Sequence, residues 1–190
     1  MTAAVNVVRD LLAGIEPVDE VERAHLAEAV AWVARTEDVF RRAPPATPPR
    51  HLVSYVVVVD PAGDAVFLVD HVKAGLWLPP GGHVEVGEHP ALSAGREVEE
   101  ELGIRTDLDA ASRPVFLTIT TTVNIDSGHE DVSLWFVTTA GRETVFTLDP
   151  TEFRSGRWWG VAEIEAADPA RFDPHLRRFL RKVRGSRPAG

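Results

Sequence analysis

Three glutamates in one short segment could bind a divalent metal ion together. Glu97, Glu100 and Glu101 are spaced as i, i+3 and i+4, so on a helix their carboxylates share one face. Three neighbouring anions repel one another, and Arg96 supplies only one positive charge against them. Hard ions such as Mg²⁺ or Mn²⁺ prefer oxygen ligands and would relieve this repulsion. The spacing therefore predicts a carboxylate metal site on a helix.

The segment before this helix can bring backbone close to a ligand. Leu78-Pro79-Pro80-Gly81-Gly82 runs from two rigid prolines into two glycines, which permit a close approach. The carbonyl of Gly82 is then available as a further oxygen ligand. A metal ion neutralises phosphate oxygens, while a carboxylate orients or deprotonates an attacking water. Together these features predict a site for a polyphosphate.

The composition of the chain limits the classes of function. The chain has 190 residues and a formal charge of −9, so we expect neither polymeric nucleic acid nor an anionic membrane as a partner. The sequence contains no cysteine, so any metal must be held by oxygen or imidazole. It shows no apolar run of about 18 residues and no signal-peptide pattern, and we expect a cytoplasmic protein.

Changes of pattern divide the chain into four parts. The first, 1–42, is predicted to be a helical extension. Four prolines at 43–50 predict an extended, stiff linker. The main domain follows at 51–184, and a flexible tail at 185–190. We expect the extension to cap the main domain, with a contact in a homodimer or a wall of the substrate pocket as alternatives.

The main domain reads as strands around one helix. Pro90 and Gly103 fit the first position and the end of a helix at 90–102. In the extension, Asp19 and Glu22 are spaced as a capping box. The predicted strands are 53–59, 65–69, 115–123, 131–139 and 155–161, and a last helix opens at Asp173-Pro174 and runs to about Val183.

The stretch from Gly82 to Ile104 resembles the signature of the Nudix hydrolases. It matches every fixed position of the Nudix box: Gly82, five residues, Glu88, seven residues, then Arg96-Glu97-Val98-Glu99-Glu100-Glu101-Leu102-Gly103-Ile104. The resemblance implies the Nudix α/β/α sandwich on a mixed sheet, here with an N-terminal helical extension. It also implies hydrolysis, with Mg²⁺ or Mn²⁺ as cofactor, of a pyrophosphate bond in a nucleoside diphosphate derivative.

The resemblance also assigns roles within the box. Either Glu97 or Glu100 is implied to be the general base. Arg96 is implied to pair with Glu88 and so to orient the loop against the helix. The implied metal ligands are Glu97, Glu100, Glu101 and the carbonyl of Gly82.

The substrate stays open at this point. The resemblance is nearest to MutT-like enzymes, so a nucleoside triphosphate, including an oxidised one, is the first hypothesis. ADP-ribose or a nucleotide sugar is the second. A non-catalytic module that senses a nucleotide through the same pocket is an alternative of another class.

Several residues outside the box are candidates for contacts with substrate. Trp158 and Trp159 are neighbours on a predicted strand, so their side chains should point to opposite faces and only one can reach a pocket. The resemblance also implies an additional carboxylate from a later loop as a metal ligand or base, for which the candidates are Glu130, Glu143 and Glu152. The candidate substrate-binding residues are Lys73, Trp77, His83, His129, Glu130 and Trp158.

Overall fold

A computed structural model of the protein describes residues 2–43, 47–122 and 128–185, and every structural statement below refers to those residues. They form five α-helices and seven strands that belong to one sheet. The helices are α1 (Ala3–Ala13), α2 (Glu20–Arg35), α3 (Pro90–Leu102), α4 (Val161–Ala166) and α5 (Leu176–Gly185). The strands are β1 (Arg50–Val59), β2 (Ala65–His71), β3 (Trp77–Leu78), β4 (Gly81–His83), β5 (Phe116–Thr121), β6 (Glu130–Thr139) and β7 (Phe153–Gly160).

The sheet is mixed and has helices on both faces. Strands β1 and β6 are parallel, whereas the other pairs are antiparallel, in the order β3-β2-β1-β6-β5 with β4 beside β1 and β7 beside β2. Alternate residues of β1 point to opposite faces. Val56 packs in one core with α1, α2 and α3, and Val57 in the other with α4 and α5. The predicted α/β/α sandwich with N-terminal helices is confirmed.

Helix α3 begins and ends where the sequence predicts. Pro90 occupies its first turn, and the ring Nδ1 of His89 accepts a hydrogen bond from the N–H of Ala91. Gly103 ends the helix in the left-handed conformation, with φ of 68°. The apolar face of α3 is buried against the sheet through Val98 and Leu102. This packing leaves two of the glutamates, Glu97 and Glu101, beside β4.

Other element boundaries differ from the prediction. Strand β7 ends at Gly160, and Val161 begins the short helix α4 because its side chain and that of Ile164 enter the core. Helix α5 begins at Leu176, since Asp173 forms a turn in which its carboxylate accepts the N–H of His175. The predicted end of β5 at Val123 lies outside the described residues.

Helix α2 covers the exposed edge of β5. The carboxylate of Glu22 accepts the backbone N–H of Leu117 at 3.3 Å, and Nδ1 of His25 accepts that of Ile119 at 3.2 Å. Glu22 is fully buried and also binds Lys182. Half of the predicted capping box is present, because Asp19 accepts the N–H of Glu22 while the Glu22 carboxylate is used elsewhere. The extension therefore closes a sheet edge that would otherwise be open to pairing.

The proline-rich segment is not extended at its described ends. Ala43 and Thr47 form an antiparallel bridge, so the two ends lie side by side; residues 44–46 lie outside the described residues. The Thr47-Pro48 peptide bond is cis. None of the described helices is both long and apolar enough to cross a bilayer.

Candidate functional site

Glu101 is a buried carboxylate held by the loop before α3. Only 5% of the residue is exposed, and its Oε2 accepts the N–H of Gly81 at 2.8 Å. Burial raises the pKa of Glu101 to about 9, against the opposing effect of the Gly81 hydrogen bond. Negative charge on neighbouring Glu97 acts in the same direction as burial. The site is thus arranged so that added positive charge would be strongly favoured there.

Two glycines allow the loop to approach the glutamates. Gly81 has φ of +144°, and a Cβ there would lie 2.8 Å from the Cα of Tyr55. A Cβ on Gly82 would lie 2.6 Å from the Cδ of Glu97, so a larger residue would displace that carboxylate. Strand β4 therefore lies directly against α3, an approach that only glycine permits at both positions.

Arg96 joins the loop to three glutamates. Its Nε and Nη2 donate to the two carboxylate oxygens of Glu88, each at 3.0 Å, in a bidentate pair. Its Nη1 donates to Glu97 at 2.8 Å and to Glu100 at 3.1 Å. Burial raises the pKa of Glu97, and the positive charge of Arg96 only partly opposes this. The Arg96–Glu88 pair thus links the start of the box to its helix.

The glutamates open into a large cleft of about 950 Å³. Glu97 and Glu101 lie on one side of its lining, and Glu152 contributes a further carboxylate from the start of β7. Positive charge comes from Arg41, Arg42 and Lys73. The cleft therefore has carboxylates that can bind metal ions and positively charged side chains that can bind phosphates. Its volume is near the upper end of the range for small-molecule sites.

The structure brings some of the predicted site residues together and places others elsewhere. Trp77 packs edge-on against Trp159, and Trp158 against Phe67. The opposite orientation predicted for Trp158 and Trp159 is observed, because they belong to different cores. The predicted residues in the cleft lining are Lys73, Gly82, His83, Arg96, Glu97, Glu101, His129 and Glu152. Those outside the lining are Trp77, Glu88, Glu100, Glu130, Glu143 and Trp158.

Glu100 and Glu130 are engaged in ion pairs. The side chain of Glu100 is 60% exposed and shares Nη1 of Arg96 with Glu97. Glu130 accepts from Arg50 at 2.7 Å. Because one guanidinium binds both carboxylates, the Glu100 side chain lies near that of Glu97. Glu130 instead lies beside the start of β1, opposite Arg50.

Several polar residues near the cleft carry only a weak signal in the sequence. His51 and Asp131 are direct neighbours across β1 and β6, and Asp131 lines the cleft. Their signal was a polar residue at the start of each of two otherwise apolar strands. The position of Arg41 and Arg42 in the cleft could not be predicted, because it depends on how the N-terminal extension packs against the main domain.

The donors near Glu97 fit a hard divalent cation. One buried and one half-buried carboxylate, both with raised pKa values, lie beside the glycine backbone of β4, and all of these donors are oxygens. Oxygen donors are what Mg²⁺ and Mn²⁺ prefer. Glu97, Glu101 and the Gly82 carbonyl could hold such an ion, with Glu100 reachable by rotation of its side chain.

Comparisons with known proteins identify relatives. A NUDIX domain model matches residues 49–183. An uncharacterized Nudix hydrolase of Bacillus subtilis (strain 168), YvcI, is 31% identical over 124 residues, 64% of this chain and 75% of that protein. A NUDIX-family hydrolase structure from Clostridium perfringens has a TM-score of 0.54 at 23% identity, covering 69% of this chain and 93% of that one. The NUDIX domain of Shewanella oneidensis NrtR, complexed with ADP ribose, has a TM-score of 0.55 at 13% identity, covering 70% and 86%.

Proposed function

Because this chain belongs to the Nudix hydrolase family, we propose that it hydrolyses a pyrophosphate bond in a nucleoside diphosphate derivative. The observation that carries the proposal is the pair of carboxylates formed by buried Glu101 and half-buried Glu97, against the glycine backbone of β4 in a large cleft. The cofactor in this proposal is Mg²⁺ or Mn²⁺.

In this proposal the glutamates of α3 bind the metal ion. Glu97 and Glu101 are the first ligands together with the Gly82 carbonyl, and Glu100 completes the set from the next turn. A bound ion would supply charge neutralisation to the phosphate oxygens and make the phosphorus easier to attack. Arg96 keeps the Glu97 carboxylate in place by its bond of 2.8 Å.

We assign the proton acceptor to Glu152 rather than to Glu97 or Glu100, because those two are metal ligands in this proposal. It lines the cleft from the turn before β7, apart from the helix that holds the ligands, and no ion pair is found for its side chain within the described ranges. The oxygen of a water molecule attacks one phosphorus, the bridging P–O bond breaks, and the water proton passes to the Glu152 carboxylate. The leaving phosphate departs towards Lys73, Arg41 and Arg42, whose positive charge favours it.

The size of the cleft favours a nucleotide with a second moiety attached. At about 950 Å³ it has room for a nucleoside triphosphate, an ADP-ribose or a nucleotide sugar. Trp77 and Trp158 are not in the described lining, so we assign neither of them as a stacking surface for the base. The aromatic rings in the lining are instead those of Tyr55, Phe153 and Phe172. A nucleoside triphosphate remains our first hypothesis, and ADP-ribose the second.

A substrate panel tests this proposal. Nucleoside triphosphates, their oxidised forms, ADP-ribose and nucleotide sugars are each incubated with the chain and Mg²⁺, and the products are separated. Pyrophosphate with a nucleoside monophosphate indicates a triphosphate substrate, whereas AMP with ribose phosphate indicates ADP-ribose. Tight binding of a nucleotide without turnover of any compound would instead support a sensing module and contradict the proposal.

A further inference from the structure

Three histidines and one aspartate meet where β1, β4 and β6 lie side by side. His51 of β1 is the direct neighbour of Asp131 in parallel β6, and His129 precedes Asp131 by two residues. His83 of β4 is opposite Val53, which is two residues from His51 and therefore on the same face of β1. One ligand atom from each of the four side chains lies within 4.8 Å of all the others.

These side chains carry polar atoms that lack partners. His51 is fully buried, and His129 is 3% exposed. Nε2 of His51, Nε2 of His83 and Oδ1 of Asp131 are buried and have no hydrogen-bond partner within the described ranges. Buried polar atoms of native proteins are nearly always satisfied, so three orphans that face one another point to a missing common partner.

The other ring nitrogens are already oriented. Nδ1 of His51 is 2.8 Å from the carbonyl oxygen of Pro48. A carbonyl only accepts, so this Nδ1 carries the proton and the lone pair of Nε2 points to the cluster. Nδ1 of His129 is 3.1 Å from the hydroxyl of Thr122. Histidines that bind metals are held by their second nitrogen in this way.

The distances suit an ion better than a shared proton. Nε2 of His51 and Nε2 of His129 lie 3.3 and 3.4 Å from Oδ1 of Asp131. A charged hydrogen bond between these groups would be shorter, about 2.7–2.9 Å. Neighbouring ligands on a tetrahedral ion with bonds of about 2.0–2.1 Å are about 3.3–3.4 Å apart, which is the spacing of these two pairs, and the remaining pairs lie within 4.8 Å.

We propose that His51, His83, His129 and Asp131 form a four-ligand site for a transition-metal ion of the Zn²⁺ class, distinct from the carboxylates of α3. Imidazole with one carboxylate suits such ions, whereas Mg²⁺ prefers a set of oxygens. Four ligands from the protein leave no open position, as in structural sites. The ion joins β1, β6 and β4, and β4 carries the glycines that contact Glu97 and Glu101. It therefore fixes the strand against which the catalytic carboxylates rest.

Co²⁺ binding to the full-length, tag-free chain tests the site. The chain is stripped of metal with a chelator and titrated with Co²⁺ in a large excess of Mg²⁺, which occupies oxygen sites. We expect one Co²⁺ ion per chain with the intense visible absorption of tetrahedral coordination, and displacement of that ion by Zn²⁺. Absence of binding in excess Mg²⁺, or only the weak absorption of an octahedral complex, would overturn the proposal.

Variants locate the ion. Asp131→Asn and His83→Gln should each weaken Co²⁺ binding at least ~10-fold, and His83 is the milder change because it is only half-buried. His25→Gln removes a histidine outside the cluster and should leave binding unchanged, and Glu97→Gln should retain the absorption as well. Circular dichroism confirms folding of each variant. Equal binding by folded His83→Gln and wild type would contradict the assignment.

Discussion

The backbone N–H of Gly81 donates a hydrogen bond of 2.8 Å to the carboxylate of Glu101. This bond joins β4, which is paired with β1 in the sheet, to the last turn of α3, whose other face is packed in the core. The position of the Glu101 carboxylate is therefore set by the sheet as well as by its own helix. Such support from rigid elements is what a site for a small ion requires.

Replacement of Gly81 should damage the fold. Gly81→Ala places a Cβ against the backbone of β1 at a φ of +144°, so we expect a loss of about 2 kcal/mol or more in the free energy of unfolding. Gly75→Ala is the matched control, because Gly75 also has positive φ, +66°, but open space around its Cβ. The control should lose about 1 kcal/mol. Urea denaturation measures both, and equal losses would argue against the close approach.

Metal binding should strengthen as the pH rises. Burial raises the pKa of Glu101 to about 9, and a metal ion binds only the ionised carboxylate. Protons therefore compete with the ion below that pKa, and apparent Mn²⁺ affinity should rise by up to about tenfold per pH unit from neutral pH towards pH 9. Calorimetric titration at several pH values measures this. Glu101→Gln should bind more weakly with a flatter profile, and an unchanged profile in that variant would refute the assignment.

Substitutions of Glu152 and Glu143 compare a carboxylate in the cleft with one on the surface. Glu152→Gln should lower kcat by about 10²-fold or more while metal affinity is kept, because it removes the proton acceptor and no metal ligand. Glu143→Gln is the control, since Glu143 is exposed and outside the described lining. Steady-state kinetics with a substrate found in the panel gives the result. A large fall in metal affinity for Glu152→Gln would make it a ligand instead.

The contact between α2 and the edge of β5 should weaken as the pH falls. Burial lowers the pKa of His25, with the positive charge of Arg178 acting in the same direction. The neutral Nδ1 of His25 accepts the N–H of Ile119, and protonation of that nitrogen would break the bond. The folded state thus favours neutral His25, so this stability is complete above the unfolded pKa of about 6.5 and is lost as pH falls below it.

His25→Gln keeps an acceptor that does not titrate. Between about pH 7.5 and pH 5.5, wild type should therefore lose about 0.5–1 kcal/mol more than the variant, a small difference because His25 is partly in solvent. Chemical denaturation at the two pH values measures the difference. Parallel losses in both proteins would show that His25 is not coupled to folding through this bond.

Local features of the sequence were sufficient to predict α3 and the grouping of its glutamates. Pro90 and Gly103 mark its ends by backbone preference alone, and the spacing of its glutamates needs no tertiary information. The histidine cluster could not be predicted, because it depends on the register between β1 and β6, which brings His51 beside Asp131 across 80 residues of sequence. The role of the Glu22 carboxylate also depends on a distant partner, the backbone N–H of Leu117 at the edge of β5, which a local capping pattern does not contain.

The central claim, that Glu101 is a ligand of the catalytic metal ion, is tested most directly by comparing the turnover rates of Glu101→Gln and Glu99→Gln. Both variants remove one negative charge from α3, but Glu101 is buried against Gly81, whereas Glu99 is exposed and pairs with Arg105. Rates are measured with the best substrate of the panel over a range of Mg²⁺ concentrations. We predict a fall of about 10²-fold or more for Glu101→Gln, with a higher Mg²⁺ requirement, and a near-wild-type rate for Glu99→Gln. Wild-type turnover by Glu101→Gln at the same Mg²⁺ would contradict the account.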